Sequence, residues 1–185
     1  NYGVAPQDID SSRICASCLL VRSLTARPSN WRAQMSLPAW LAEQGVPGIS
    51  GVDTRALTRH IRDKGVMKAI IAPGKSAADR DALLAQMAAA PDYGDEDFVS
   101  SVMTSGPMRV VFDEGAARYG EGVSLAPMGE VAGDEGDARP HVVVLDFGAK
   151  YSILRHLASR GCRVTLAPAT TPPATIRALR PDGIL

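Results

Sequence analysis

The stretch from His141 to Leu185 constrains the fold more than any other part of the chain. Val142, Val143, Val144 and Leu145 form an unbroken aliphatic run between Pro140 and Gly148, the composition of a strand buried on both faces. Ile153, Leu154, Leu157 and Ala158 then recur at three- and four-residue spacing, and Gly161 supplies a left-handed stop. The pattern predicts an amphipathic helix of about three turns. Cys162 to Leu166 returns to strand composition, Ile176 and Leu179 predict a second helix after Pro172 and Pro173, and Gly183-Ile184-Leu185 opens a third strand. Strand, helix, strand, helix, strand is the start of an open parallel α/β sheet with right-handed crossovers. Ligands bind beyond the carboxyl ends of such strands. The sequence stops as it reaches the third strand, so the segment expected to carry the chemistry lies outside it, and both termini read as cut ends.

Composition narrows the class. Hydrophobic residues make up 45% and charged residues 22% of the 185, which predicts a packed core. Twenty basic and twenty acidic residues cancel, leaving no electrostatic reason to expect nucleic acid or an acidic membrane surface as a partner. No apolar run approaches the roughly 20 residues that span a bilayer, and NYGVAPQDID has no signal-peptide character, so a cytoplasmic protein is expected. Cys15 and Cys18 have a C-x-x-C spacing but no second pair or histidine beside them. They are read, like Cys162, as buried small hydrophobes. His60, His141 and His156 have no metal-binding spacing, and neither a metal nor a cofactor site is expected in the chain.

Ahead of the α/β unit, residues 1–113 read as an α+β domain. A strand is expected over Ile14–Leu24, then a helix capped by Ser36 with Pro38 in its first turn, Trp40 in its core face and Gly45 at its end. Asp53 and Gly65 bracket a second helix with Leu57 and Ile61 inside and Arg55, Arg59, Arg62 and Lys64 outside. That basic face is either a solvated surface or an anion or partner site. Extended runs are expected at Val66–Ala72, Phe98–Thr104 and Met108–Phe112, and a helix with a capping-box-like start at Ser76 and Asp79. Residues 114–140, rich in glycine and acidic residues with no sustained period, read as a linker.

Chemistry-bearing motifs are scarce. Asp146-Phe147-Gly148 spells a kinase metal-binding triplet without the catalytic and glycine-rich loops that should precede it, so it is read as chance. The FGAK turn lacks the glycine spacing of a dinucleotide site.

Three stretches, PSNWR with its following helix, GVPGISGVDTRALTRHIRDKG, and after the linker VVVLDFGAKYSILRHLASRGCRVTLAP with PDGIL, together resemble the small subunit of glutamine-dependent carbamoyl phosphate synthetase, in the same order. Ser152 departs from the asparagine usual in that family's K-x-N-I-L-R run. The resemblance implies an amino-terminal domain peculiar to that synthetase (1–113), the linker (114–140), and the first portion of a flavodoxin-like class I glutamine amidotransferase domain with a truncated parallel sheet (141–185). It implies a cysteine nucleophile on a strand-to-helix elbow, a histidine oriented by a glutamate, and an oxyanion-binding glycine-rich loop. No catalytic residue of that set falls in this chain, and Cys162, at the entry of a strand, is not promoted to the role. Glutamine would be the substrate of the intact protein. The partner would be a large subunit that uses ATP and magnesium to make carbamoyl phosphate from bicarbonate and the ammonia released, feeding arginine and pyrimidine synthesis. For Arg55, Arg59 and Arg62 the resemblance raises a place at the large-subunit contact. The competing reading is a non-catalytic two-domain scaffold protein of the same architecture.

Overall fold

The computed structural model describes residues 3–72, 74, 79–113, 122–128 and 136–185. Two compact units emerge, and they are not consecutive blocks of sequence. One is built mainly from Ile14–Asn30 and Ser36–Asp97; the other takes Val4–Arg13, Trp31–Met35 and Phe98–Leu185.

The first unit holds β1 (Leu19–Val21), α1 (Leu37–Glu43), β2 (Gly48–Ser50), α2 (Thr54–Lys64) and α3 (Arg80–Ala89). Both expected caps form. Ser36 Oγ accepts from the Ala39 N–H at 3.3 Å, and Asp53 Oδ1 accepts from the Ala56 N–H at 3.0 Å, each satisfying an orphan donor of a first turn. Gly65, at φ +82°, donates its N–H to Ile61 O at 2.8 Å and stops α2. The long strand expected over Ile14–Leu24 shortens to the three residues of β1, paired parallel with β2. Cys15 and Cys18 therefore precede the strand, and Cys15 is exposed rather than buried. Val66–Ala72 forms no strand: Val66 and Met67 lie exposed, with no ladder to complete them. Trp40 is half-buried beside the buried Leu41, Asp79 precedes α3 without a side-chain cap bond, and Ser76 lies outside the described residues.

The second unit holds α4 (Phe98–Val102), β3 (Met108–Phe112), β4 (Val123–Pro127), β5 (His141–Asp146), α5 (Tyr151–Ala158), β6 (Arg163–Pro168), α6 (Pro173–Ala178) and β7 (Gly183–Ile184). The order across its sheet is β4-β3-β6-β5-β7. β5 is parallel to β6, from His141 opposite Arg163 to Asp146 opposite Pro168, and parallel to β7 on its other side. Adjacent parallel strands bridged by helices are what the aliphatic runs predicted. The antiparallel pair β3–β4 was not foreseen as part of this sheet, and it covers the β6 edge that three strands alone would leave bare. β4 falls within the stretch read as linker, where Val123 and Leu125 pack against the core while Ser124 between them is exposed. Phe98–Thr104, expected as a strand, is the short helix α4 instead, because periodicity cannot assign so short an apolar run.

Alternate residues of β5 serve two cores. Val144 joins Val110, Val164 and Leu166 against Leu154 and Ala158 of α5; Val143 packs on the opposite face with Ala167 and Leu179. On that second face His141 is buried, its Nδ1 3.1 Å from Leu179 O and its Nε2 2.8 Å from Thr165 Oγ1. A carbonyl can only accept, so Nδ1 carries a proton, and in the neutral ring Nε2 accepts from the threonine hydroxyl. The backbone of His141 is tied as well: its N–H donates to Asp182 Oδ2 at 2.7 Å and its carbonyl accepts from Asp182 N at 2.8 Å.

The turn after β5 requires its glycine. Gly148 sits at φ +98°, and a Cβ there would lie 3.2 Å from Val102 Cγ2. Gly148→Ala is expected to cost about 1–2 kcal/mol through left-handed strain and crowding, read as faster hydrogen exchange of the buried β5 amides. Unchanged exchange would mean that the turn relaxes at no cost.

Candidate functional site

The carboxyl ends of β5 and β6 form the edge at which open α/β sheets hold ligands. Two turns shape it. At the end of β5, Asp146 is buried; its Oδ1 accepts from the N–H groups of Gly148 and Ala149, both at 2.9 Å, and its Oδ2 from the Thr104 N–H at 2.8 Å. The triplet dismissed as chance thus has a structural role, since an aspartate two residues before a left-handed glycine closes the turn on itself. Phe147 and Lys150 remain exposed on it. At the end of β6, Thr171 donates its N–H at 2.9 Å and its hydroxyl at 2.7 Å to Pro168 O.

The first turn of α5 follows, and Asp10 holds it. Its Oδ1 accepts from the Ser152 N–H at 2.9 Å, its Oδ2 from the Ser152 hydroxyl at 3.0 Å, and its backbone carbonyl from the Tyr151 N–H at 3.0 Å. Arg155 Nη2 stands 4.0 Å from Oδ1. Sequence reading flagged Ser152 but missed Asp10, since nothing local announces a cap supplied from 142 residues away.

Cys162 lies at the start of β6, half-buried against the core and at the opposite end of that strand from these turns. It lines a cavity of about 480 Å3 with Arg109, Arg139 and Arg163. Arg139 is paired there with Asp137, Nη2 to Oδ2 at 2.7 Å. Hydrogen bonds from the Arg139 side chain, then from its backbone N–H, hold the Asp137 carboxyl well below the usual carboxylate range.

Arg55, Arg59 and Arg62 do come together, at four- and three-residue steps along α2. With Thr54 and Thr58 they line an open hollow of about 290 Å3, and Thr58 turns its hydroxyl back to Thr54 O at 2.7 Å. All three arginines are exposed, and none has an ion-pair partner among the described residues. In a chain of zero formal net charge this is a local concentration of positive charge.

Residues 1–71 match the family model described as carbamoyl-phosphate synthase small chain, CPSase domain. Beyond that segment the likeness continues. The carbamoyl phosphate synthase small chain of Syntrophotalea carbinolica is 38% identical over 184 residues, covering 100% of this chain and 46% of the relative. That of a Nostoc species is 39% identical over 193 residues, covering 100% and 45%, and that of Pseudomonas aeruginosa 38% over 188, covering 100% and 46%. The chain is similar to carbamoyl phosphate synthase small chains from end to end. It spans about half the length of the curated relatives it matches. The likeness to these small chains runs through both compact units, so it takes in the α2 hollow as well as the turn after β5.

Proposed function

We propose that the chain is part of the glutamine-hydrolysing small subunit of a carbamoyl phosphate synthetase, and that β5 through β7 open its flavodoxin-like class I amidotransferase domain. The observation that carries this reading is the match to small chains of that enzyme along the full length of the chain. The parallel β5–α5–β6–α6–β7 unit supports it, because that fold gathers ligands at the strand ends where the Asp146 turn sits. In the proposed chemistry a cysteine thiolate attacks the side-chain amide of glutamine, a glutamyl thioester forms, and ammonia leaves for the large subunit. The nucleophile belongs to the portion of the small chain outside these residues. Cys162, at the wrong end of its strand, is no candidate. This subunit needs no cofactor of its own; ATP and magnesium act on the large subunit. The proposed compartment is the cytoplasm; among the described residues no helix is long and apolar enough to cross a membrane.

The exposed guanidinium face of α2 supports a second part of the proposal, that Arg55, Arg59 and Arg62 meet acidic groups of the large subunit. Arg59→Glu is expected to weaken association of the two subunits by roughly tenfold to a hundredfold, with the effect fading as salt is raised. Sedimentation or surface binding measures it, and unchanged affinity at low salt removes the arginines from the contact. The functional reading itself is tested by carbamoyl phosphate formation from glutamine when the complete small and large chains are combined. Failure of glutamine where free ammonia succeeds would refute it.

A further inference from the structure

The amino-terminal segment Val4–Arg13 clusters with the α/β unit and is fastened to it at several points. Ala5 is buried, Val4 bridges Met35, Arg13 Nη2 donates to Ser101 O at 2.6 Å, and Asp10 closes on Tyr151 and Ser152 with three hydrogen bonds. Those bonds secure one end of the turn 147–150; Asp146 secures the other through Gly148 and Ala149. Lys150 O accepts from Ile153 N at 3.0 Å, so the turn and the first turn of α5 are one hydrogen-bonded piece. Two carboxylates therefore immobilise a single loop at the ligand edge of the sheet, one of them brought from the far end of the sequence. Such immobilisation is what substrate positioning needs, because a loop about 1 Å out of place can cost a hundredfold in rate.

We infer that Asp10 is a positioning residue for glutamine, acting through Ser152 and Tyr151 on the turn 147–150 and touching neither substrate nor nucleophile. The inference rests on the function proposed above. It takes Ser152 into account: a serine hydroxyl can donate to one carboxylate oxygen while its own N–H reaches the other, a two-point fit that a short side chain at residue 10 completes.

Two measurements test it. In this chain, Asp10→Ala is expected to speed hydrogen exchange roughly tenfold at Tyr151 and Ser152 and also at Gly148 and Ala149, with Val143 and Val144 unchanged. Asp10→Asn restores protection, since its carbonyl accepts from Ser152 N and its amide donates to Ser152 Oγ. In the complete small chain bound to its large subunit, Asp10→Ala raises KM for glutamine about tenfold and leaves kcat within about twofold, and Asp10→Asn rescues KM. Faster exchange confined to Tyr151 and Ser152 would reduce Asp10 to a helix cap and overturn the role. So would an active wild type whose Asp10→Ala variant keeps its KM. A wild-type complex that hydrolyses no glutamine overturns the proposed function, and with it the role of Asp10.

Discussion

Asp146→Ala is expected to destabilise the α/β unit by about 3–4 kcal/mol, although it removes a single small side chain. Three part-buried backbone N–H groups, of Thr104, Gly148 and Ala149, donate to this one buried carboxylate, and truncation would leave them to whatever water can reach the turn. Leaving even a part-buried donor without a partner costs more than a made bond contributes, and bonds to a carboxylate acceptor are the stronger kind. Asp146→Asn separates the terms. Its carbonyl can still accept from Gly148 and Ala149, but its amide then faces the Thr104 N–H, donor against donor, so about 1–2 kcal/mol is lost. The two compact units need not unfold together, so the readout is exchange of the buried Val143 and Val144 amides rather than one melting curve. More than a hundredfold faster exchange is expected for the alanine variant. Less than tenfold would mean that the three bonds are not kept in solution.

His141→Ala comes next in size, at about 3–4 kcal/mol. The imidazole fills a closed space between β5, β6 and the end of α6, and its loss leaves a cavity as well as two buried orphans, Leu179 O and Thr165 Oγ1. Thr165→Val is expected to cost about 1–2 kcal/mol by stranding Nε2 alone. Because the two side chains share a bond, the double variant should fall short of the sum of the singles by about 1 kcal/mol, again read from β5 amide exchange. Full additivity would show that histidine and threonine do not bond.

The elements legible in the sequence were those whose reasons are local. Ser36, Asp53, Gly65 and Gly161 mark helix ends through bonds made within a few residues, and Val142–Leu145 signals burial on both faces by composition alone. What escaped depends on partners distant in sequence. β3 and β4 join the parallel sheet because β6 offers them an edge, a fact no window around Met108 contains. Phe98–Val102 has strand-like residues yet coils into a helix ahead of Thr104, whose N–H is claimed by Asp146. Asp10 drew no notice, Asp146 was read as part of a chance triplet and His141 only as a histidine without metal spacing, because a structural polar side chain is recognised by the distant groups that satisfy it. On α2 the reverse holds. Periodicity alone places Arg55, Arg59 and Arg62 on one face, since a helix of known phase fixes its own surface.

Ammonia release from glutamine measures the proposed chemistry most directly. The complete small chain, assembled with its large subunit, is predicted to liberate ammonia and glutamate in equal amounts, while these 185 residues alone liberate none above the uncatalysed rate. Ammonia produced by the 185-residue chain itself, or none from the assembled pair, would contradict it.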